Sequence, residues 1–299
     1  MVSGSGDVAS LGEAAIAMIE RQNWLGTIGD RVQQTIAATF RAGGEPGRKV
    51  RDFIHGTWLG HPLHPVLTDV PIGAWTTALI LDSVDQGDGP CARAADGAIT
   101  LGLVGAVAAA VTGLTDWHQT DGGTRRVGLS HGLANITAAS VYAAALILRR
   151  QGARSVGRPL ASLGFVLALG AAFVGGHLVY RKRVGVDHAP TPEPWDDFVA
   201  VVPEAEFRES IPHRVHARGA SIVLVRRDGR IHALIGTCAH MGGPLSEGQV
   251  EGESIRCPWH GSRFALSDGR VLEGPSTFSQ PCFDVRVRNG QVELRLRAR

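Results

Sequence analysis

The chain has 299 residues, of which 44% are hydrophobic, and its formal net charge is +2. This length is sufficient for two domains, and the near-neutral charge predicts no nucleic-acid partner and no acidic tail. The average hides a division, because residues 63–180 are much more apolar than the rest and are rich in Gly and Ala. That composition is common in membrane helices.

Residues 1–54 predict an amphipathic helical region. Large apolar residues recur there at steps of three and four, the spacing of one helix face: Trp24, Leu25, Ile28, Val32, Ile36 and Phe40. Two interpretations stay open, namely a helix packed on the protein's own surface or a helix lying on a bilayer. The beginning of the chain has no basic stretch followed by a compact apolar core, so we expect no signal peptide.

Residues 55–183 predict a membrane domain. Four apolar stretches, nearly free of charges, run from about 65 to 84, 98 to 115, 133 to 148 and 160 to 180. A bilayer core needs about 20 residues of helix, whereas a soluble bundle would show polar faces at helical spacing. We therefore expect a four-helix transmembrane bundle in membrane lipid, and a homodimer is compatible with it.

The basic residues near the helix ends predict the orientation. Eight lie on the side of both termini: Arg48, Lys49, Arg51, Arg125, Arg126, Arg181, Lys182 and Arg183. Five lie on the other side: Arg93, Arg149, Arg150, Arg154 and Arg158. We therefore expect a bacterial inner membrane protein whose C-terminal domain faces the cytoplasm.

A second domain follows the helices. Residues 184–197, VGVDHAPTPEPWDD, hold three prolines and predict a semi-extended linker. In residues 198–299 the hydrophobic pattern has period two, with Asp-Gly and Asn-Gly turns in SIVLVRRDGRIHALI and FDVRVRNGQVELRLR. These are hairpin signals, so the fold class is multidomain α + β, with an all-β domain after the helical bundle.

Two Cys–His pairs lie in the all-β domain, Cys238-x-His240 and Cys257-x-x-His260. Thiolates and imidazoles together select zinc, copper or iron–sulfur clusters. Zinc modules usually space two like ligands closely, whereas each pair here mixes one Cys with one His. A [2Fe–2S] cluster with two Cys on one iron and two His on the other fits better. Zinc, or four residues that bind no metal, are the alternatives.

The segments CAHMGGPL and CPWHGSRF resemble the two cluster-binding boxes of Rieske iron–sulfur proteins. The resemblance covers residues 198–299 and implies a small β-sandwich with the [2Fe–2S] cluster at its tip. It also implies that Cys238 and Cys257 bind one iron and that His240 and His260 bind the other. Ser262 is a candidate hydrogen-bond donor to a sulfur.

Two positions narrow the subtype. Rieske proteins of cytochrome bc complexes have one additional cysteine in each box, and Gly243 and Trp259 occupy those positions here. The sequence therefore resembles the ferredoxin-type branch, which serves oxygenases and nitrite reductases. Rieske potentials span about −150 to +300 mV, and we expect the lower half of that range.

The chain is not expected to be an oxygenase itself. Ring-hydroxylating oxygenases add a mononuclear iron site of two His and one carboxylate after the Rieske domain, and no histidine follows His260. We expect an electron-transfer protein that connects a membrane redox partner, a protein or a quinone, with a soluble acceptor. The alternatives are a redox-sensing or regulatory membrane protein and a transporter gated by the Rieske domain.

Four further histidines, His64, His118, His131 and His177, lie near predicted helix ends on one side of the membrane. Three interpretations stay open. The side chains anchor the helix ends at the interface, they ligate a b-type haem through a pair such as His64 with His131 or His177, or they form a quinone or metal pocket. Asp69 and Asp116 are ionisable at membrane depth and are functional candidates for that reason.

The membrane segment also resembles a family of small four-helix bacterial membrane proteins of unassigned function. The resemblance rests on HPLHPVLTDVPIGAW and DWHQTDGGTRRVGLSHGLAN and covers about residues 55–180. It implies no activity.

Overall fold

The computed structural model describes residues 5–85, 87–190 and 192–297. The chain folds into two compact units. The helical unit comprises residues 1–47 and 63–184, and the β unit comprises residues 48–62 and 185–299. The short segment 48–62 thus groups with the β unit although it precedes most of the helices.

The described part of the chain contains seven helices: α1 Ser5–Glu20, α2 Asn23–Ala42, α3 Gly44–His55, α4 Leu63–Val84, α5 Pro90–Trp117, α6 Gly122–Arg150 and α7 Arg154–Tyr180. Helices α4–α7 coincide with the four predicted spans. Three of them, α5, α6 and α7, are long and apolar enough to cross a membrane. Helix α4 includes Asp69 and Asp82 in 22 residues, which lowers its apolar content. The predicted count of four transmembrane helices is therefore not confirmed.

The long helices turn their large apolar side chains outward and bury small ones. On α5, Leu101, Val104 and Val107 are all more than half exposed, whereas Gly102 and Ala109 are buried. A continuous apolar surface of this kind is unfavourable in water and is expected in lipid. Small residues on the inner face let helix backbones approach closely, as in membrane bundles.

Helices α4 and α6 repeat one another at a spacing of 67 residues. Trp75 stacks on Tyr142 with ring centroids 4.2 Å apart, and Arg149 donates two hydrogen bonds of 2.5 and 2.7 Å to Asp82. Both pairs have this spacing, and the segment Ala-Leu-Ile-Leu occurs at 78–81 and again at 145–148. The second contact lies seven residues after the first on both helices, so α4 and α6 run parallel. They face each other across a local two-fold axis.

Helices α5 and α7 repeat in the same way at a spacing of 62 residues. Gly102 of α5 lies against the Trp75 ring, and Gly164 of α7 lies against the Tyr142 ring. A Cβ at either glycine would collide with that ring. The helices α4–α7 are therefore two copies of one helical hairpin, arranged as a parallel repeat of the kind found in some transporters.

Helix α2 packs on one end of this bundle. The buried Gln33 amide donates hydrogen bonds of 2.9 Å to the carbonyls of Trp117 and Thr120, where α5 ends. Arg125, near the beginning of α6, forms an ion pair with Asp30. Of the two interpretations of the N-terminal region, these contacts favour a helix packed on the protein's own surface.

The β unit contains ten strands among its described residues: β1 Val199–Pro203, β2 His213–Ala217, β3 Ala220–Arg227, β4 Arg230–Ile235, β5 Gln249–Glu251, β6 Ser254–Arg256, β7 Arg263–Ala265, β8 Val271–Glu273, β9 Phe283–Arg288 and β10 Gln291–Leu296. They form three antiparallel sheets with the orders β1-β10-β9, β2-β3-β4 and β5-β6-β7-β8. The Asp228-Gly229 and Asn289-Gly290 turns join β3 to β4 and β9 to β10 with positive φ at both residues. These two sequence-predicted hairpins are confirmed.

Strand β3 separates two hydrophobic cores because alternate side chains point to opposite faces of a strand. Ile222 and Leu224 belong to a core with β1, β9 and β10. Val223 and Val225 belong to a second core, which also contains Cys238 and Cys257. The two cysteines are therefore held by packed apolar residues.

Replacing Arg149 by leucine is expected to destabilise the helical unit. Arg149 is 1% exposed and bonds Asp82 and Asp96, so Arg149→Leu removes the cation that these two poorly solvated carboxylates share and leaves Asp82 with Arg158 at 3.6 Å and Asp96 with Arg154. Breaking a buried ion pair in this way costs about 3–5 kcal/mol. Thermal unfolding of the full chain in detergent measures the effect.

The neighbouring Arg150 provides the matched control. It is exposed and donates a hydrogen bond of 3.1 Å to Thr100, so Arg150→Leu is expected to leave the unfolding temperature nearly unchanged. Equal unfolding temperatures for the two variants would contradict the role assigned to the Asp82–Arg149 pair.

Candidate metal centre

The two Cys–His pairs lie in two loops with the same backbone construction. In the first loop the Cys238 N–H donates to the Gly243 carbonyl at 2.8 Å, and the Gly242 N–H donates to the Cys238 carbonyl at 2.9 Å. In the second loop the Cys257 N–H donates to the Ser262 carbonyl at 2.8 Å, and the Gly261 N–H donates to the Cys257 carbonyl at 3.1 Å. Gly242 and Gly261 each lie four residues after the cysteine of their loop and have positive φ angles of 81° and 78°. Glycine suits this conformation because it lacks a Cβ.

This construction directs backbone N–H groups at the sulfurs. The N–H groups of His240 and Met241 point at Cys238, and those of Trp259 and His260 point at Cys257. Each sulfur thus faces two donors. Hydrogen bonds of this kind stabilise negative charge on sulfur and set much of the potential of an iron–sulfur centre.

The two thiols lie together in the apolar core, 1% and 3% exposed. The Cys238 thiol donates a hydrogen bond to the sulfur of Cys257, which lowers the pKa of Cys257 to about 7 and raises the pKa of Cys238 well above its ordinary value. Metal binding requires thiolates, and the lowered pKa of Cys257 favours one thiolate of the pair at neutral pH.

The two imidazoles form a second pair at the edge of the domain. The rings of His240 and His260 have centroids 5.0 Å apart at an angle of 84°, and both residues are half-buried. No three His, Cys, Asp or Glu side chains converge on a single point within the described residues. A structural zinc ion takes four ligands, whereas each iron of a Rieske cluster takes only two side chains. The grouping into a thiol pair and an imidazole pair therefore suits a two-iron cluster.

The positions that distinguish the Rieske subtypes also have a structural role. Gly243 is buried, and a Cβ there would lie 2.8 Å from the Cys257 sulfur and 3.1 Å from the Trp259 ring. A larger residue at 243 would therefore press on a sulfur. The Trp259 side chain is 57% exposed beside His260, so a large apolar surface lies next to the imidazole pair.

A third segment, residues 274–280, braces both loops. The Ser276 N–H donates to the buried Ser262 hydroxyl at 3.0 Å. The Gln280 amide accepts from the Ala239 N–H at 3.0 Å and donates to the carbonyls of Ile235 and Thr237 at 2.7 and 2.6 Å. Sequence reasoning missed Gln280, because its partners lie about 40 residues earlier in the chain. A predicted bond from Ser262 to a sulfur stays a prediction.

The second loop has an ionic support in addition. Arg256 donates to the Gly261 carbonyl at 2.9 Å and forms ion pairs with Glu251 and Glu273 at 2.7 and 3.2 Å. These carboxylates raise the pKa of Arg256, so the guanidinium stays charged. The loop that contains Cys257 is thereby fixed to β5, β6 and β8.

The membrane histidines occupy two kinds of environment. His64 and His131 each bond a backbone carbonyl of a neighbouring helix, at 2.8 and 2.9 Å. His118 instead bonds the carbonyl of Thr115 in its own helix at 2.5 Å. His177 lies among charged side chains, including Lys182. The structure thus gives one pair, His64 and His131, equivalent backbone partners.

Comparison with known proteins gives two family matches. Residues 197–284 match the family described as "Rieske [2Fe-2S] domain". Residues 60–188 match the family described as "Predicted membrane protein (DUF2231)". The two matches do not overlap, and they coincide with the all-β and the apolar helical parts of the chain.

Individual relatives match the β unit. Ferredoxin CarAc of Metapseudomonas resinovorans is 32% identical over 32% of this chain and 90% of its own length. The ferredoxin component of the naphthalene 1,2-dioxygenase system of Pseudomonas aeruginosa is 32% identical over 35% of this chain and 97% of its own length.

Two further matches are a longer curated protein and a solved complex. Human apoptosis-inducing factor 3 is 32% identical over 40% of this chain. The matched region is only 20% of the length of that protein. The solved complex of reduced oxygenase and oxidized ferredoxin in carbazole 1,9a-dioxygenase is 28% identical, with a TM-score of 0.33 and coverage of 34% of this chain and 97% of that chain.

Replacing Gln280 by alanine is expected to loosen the first loop. Gln280→Ala leaves a buried N–H and two carbonyls without their side-chain partner, and each lost bond costs about 1 kcal/mol, or more if the group stays dry. We expect a loss of roughly 3 kcal/mol in the free energy of unfolding of the β unit. Denaturant titration of the full chain, followed by Trp fluorescence, measures it.

Gln249 is the control for this prediction. It lies exposed on the short strand β5, so Gln249→Ala is expected to change the free energy of unfolding by less than about 0.5 kcal/mol. A Gln280→Ala variant as stable as Gln249→Ala would show that the brace contributes nothing.

Proposed function

The chain belongs to the Rieske [2Fe–2S] family through its C-terminal domain, and from this premise we propose that it is a membrane-anchored electron-transfer protein of the ferredoxin type. A Rieske domain implies a [2Fe–2S] cluster, which accepts and releases one electron when bound. The single observation that supports the proposal most strongly is the grouping of two thiols and two imidazoles in two loops of equal construction.

The proposed ligands are Cys238 and Cys257 for one iron and His240 and His260 for the other. The burial of the thiols beside backbone N–H donors supports the first pair, because negative charge on sulfur is then stabilised away from water. The half-exposed imidazoles support the second pair. Their edge position makes them the proposed exit for electrons and connects the potential to pH through their ionisation.

The proposed branch is that of the dioxygenase ferredoxins. Gly243 and Trp259 exclude the disulfide of the cytochrome bc branch, and CarAc and the naphthalene dioxygenase component are both named ferredoxins. We propose a soluble acceptor with an apolar contact surface, since the exposed Trp259 lies beside His260. The donor is proposed to be a membrane redox protein or a quinone.

We also propose that α4 spans the membrane together with α5, α6 and α7. Its contacts with α6 support this, because Trp75 and Asp82 meet Tyr142 and Arg149 at equal depth. Four spans bring both termini to one side, and the excess of basic residues on that side supports a cytoplasmic β unit at a bacterial inner membrane.

Exchange of one histidine for cysteine tests the ligand assignment. His260→Cys is expected to convert the site toward the all-cysteine type, whose potential lies near −400 mV instead of about −150 to +300 mV. We therefore expect the potential to fall by a few hundred mV and its pH dependence to weaken. Redox titration of the full chain, followed by electron paramagnetic resonance (EPR), measures both.

Two controls accompany this exchange. His216 is exposed on β2, so His216→Cys is expected to leave the potential and the EPR signal unchanged. Cys257→Ser is expected to abolish cluster binding. An unchanged signal in His260→Cys, or full iron content in Cys257→Ser, would refute the ligand assignment.

Reporter fusions test the number of spans. Green fluorescent protein fused to the N-terminus and, in a second fusion, to the C-terminus is expected to fluoresce in both cases, since it folds in the cytoplasm and four spans bring both termini there. Alkaline phosphatase at the same positions is expected to be inactive. Opposite results at the two termini would indicate three spans and remove α4 from the membrane.

A further inference from the structure

His64 of α4 and His131 of α6 occupy equivalent positions in the helical repeat. They are 67 residues apart, the same spacing that relates the stacked rings and the Asp82–Arg149 pair. Because those two pairs meet across the local two-fold axis, the histidines form a corresponding layer, at the second residue of α4 and the tenth residue of α6.

The second helix of each hairpin holds the imidazole in the same manner. His64 Nδ1 lies 2.8 Å from the Ala109 carbonyl oxygen of α5, and His131 Nδ1 lies 2.9 Å from the Ala171 carbonyl oxygen of α7. The two alanines are 62 residues apart, which is the spacing of the α5–α7 repeat. One binding arrangement therefore occurs twice.

A glycine one turn later gives each ring its space. A Cβ at Gly113 would lie 2.8 Å from His64 Cε1, and a Cβ at Gly175 would lie 2.9 Å from His131 Cε1. Real Cβ atoms essentially never come so close. The helices therefore have their smallest residue at the two places where an imidazole packs against them.

The carbonyl bonds determine the tautomer. A carbonyl oxygen only accepts, so each Nδ1 has the hydrogen and each Nε2 has a lone pair. Metal-ligating histidines are commonly fixed in this way, with the second ring nitrogen donating to a carbonyl. A bare Nε2 has no hydrogen to donate to a quinone oxygen, so the arrangement favours a metal over a quinone.

Two neighbouring groups also contact the imidazoles. The Asn135 amide nitrogen lies 3.2 Å from His131 Nε2 and donates to the His131 carbonyl at 2.9 Å. If a metal took the lone pair of His131 Nε2, the Asn135 amide would still have this carbonyl as an acceptor. The Thr112 hydroxyl lies 3.4 Å from His64 Nδ1 and also bonds the Ala109 carbonyl at 3.0 Å.

The number of ligands selects the kind of metal centre. Within the part of the chain that the structure describes, no third His, Cys, Asp or Glu joins this pair, whereas a bare zinc ion takes three or four protein ligands. Haem iron needs only axial ligands from the protein, because the porphyrin supplies the other four nitrogens. We propose that His64 and His131 are the two axial ligands of one b-type haem in the helical unit.

The depth of the histidine layer suits this cofactor. Asp82 follows His64 by 18 residues on α4, which is about 27 Å of helix and nearly the thickness of a bilayer core. The histidines and the Asp82–Arg149 pair therefore lie near opposite boundaries of the hydrocarbon. A haem held by these two histidines would therefore lie near one boundary of the hydrocarbon.

Haem content of the full chain tests the proposal, which goes beyond the proposed function. The protein is expressed with iron and 5-aminolevulinic acid, purified in detergent, and measured by the pyridine haemochrome assay and by EPR. We expect one low-spin haem per chain. His64→Ala and His131→Ala are each expected to lose the low-spin signal, and added imidazole is expected to restore it, which a purely structural role would not allow.

Two other histidines at the same end of the bundle provide matched controls. His118→Ala and His177→Ala are expected to retain the haem and its low-spin spectrum. Cys257→Ser is expected to lose the Rieske EPR signal and keep the haem, so the failure of the cluster assignment is distinguishable from the failure of the haem assignment.

Three results would overturn the proposal. The first is a chain with an intact Rieske signal that contains no haem under these conditions. The second is haem retained at full occupancy in the double variant His64→Ala, His131→Ala. The third is loss of the low-spin spectrum in His118→Ala or His177→Ala, which would assign an axial position to a different histidine.

Discussion

The candidate metal centre depends on one backbone hydrogen bond that is made twice, from a cysteine N–H to the carbonyl five residues later. This bond closes a turn in which the following N–H groups point back at the sulfur. A thiolate in an apolar core would otherwise be strongly destabilised. The turn therefore supplies both the shape that brings Cys238 and Cys257 together and the dipoles that make their negative charge tolerable, before any ligand is considered.

The local features of this chain are predictable from sequence because their causes are local. Asp228-Gly229 and Asn289-Gly290 can adopt positive φ, so their hairpins follow from neighbouring residues. The Cys–His pairs are equally short-range. Gln280 was not predictable, because its three partners lie in residues 235–239 and nothing in its own neighbourhood indicates them. A brace of this kind appears only when the fold brings distant segments together.

The helical repeat shows a different limit. At two layers the equivalent residues of the two repeats differ, namely Trp75 and Tyr142, and Asp82 and Arg149. A search for identical residues at equivalent positions of the two hairpins therefore finds little. The segment Ala-Leu-Ile-Leu at 78–81 and 145–148 was a detectable signal that sequence reasoning missed. The predicted count of four spans is not confirmed for a related reason, because the aspartate that pairs with Arg149 across the axis also lowers the apolar content of α4. The composition of α4 includes the charge of Asp82, whereas only the structure shows that Arg149 neutralises it.

The two ends of the bundle satisfy their polar groups in opposite ways. At one end Arg149 is enclosed by Asp82 and Asp96, and Arg154 adds a second cation to Asp96. Those charges neutralise one another, so that end needs no ligand. At the other end the imidazoles of His64 and His131 each use one nitrogen on a carbonyl, which leaves a lone pair on the second nitrogen of each ring. Both lone pairs are available to a metal, because the Asn135 amide that lies 3.2 Å from His131 Nε2 also donates to the His131 carbonyl and would keep that acceptor.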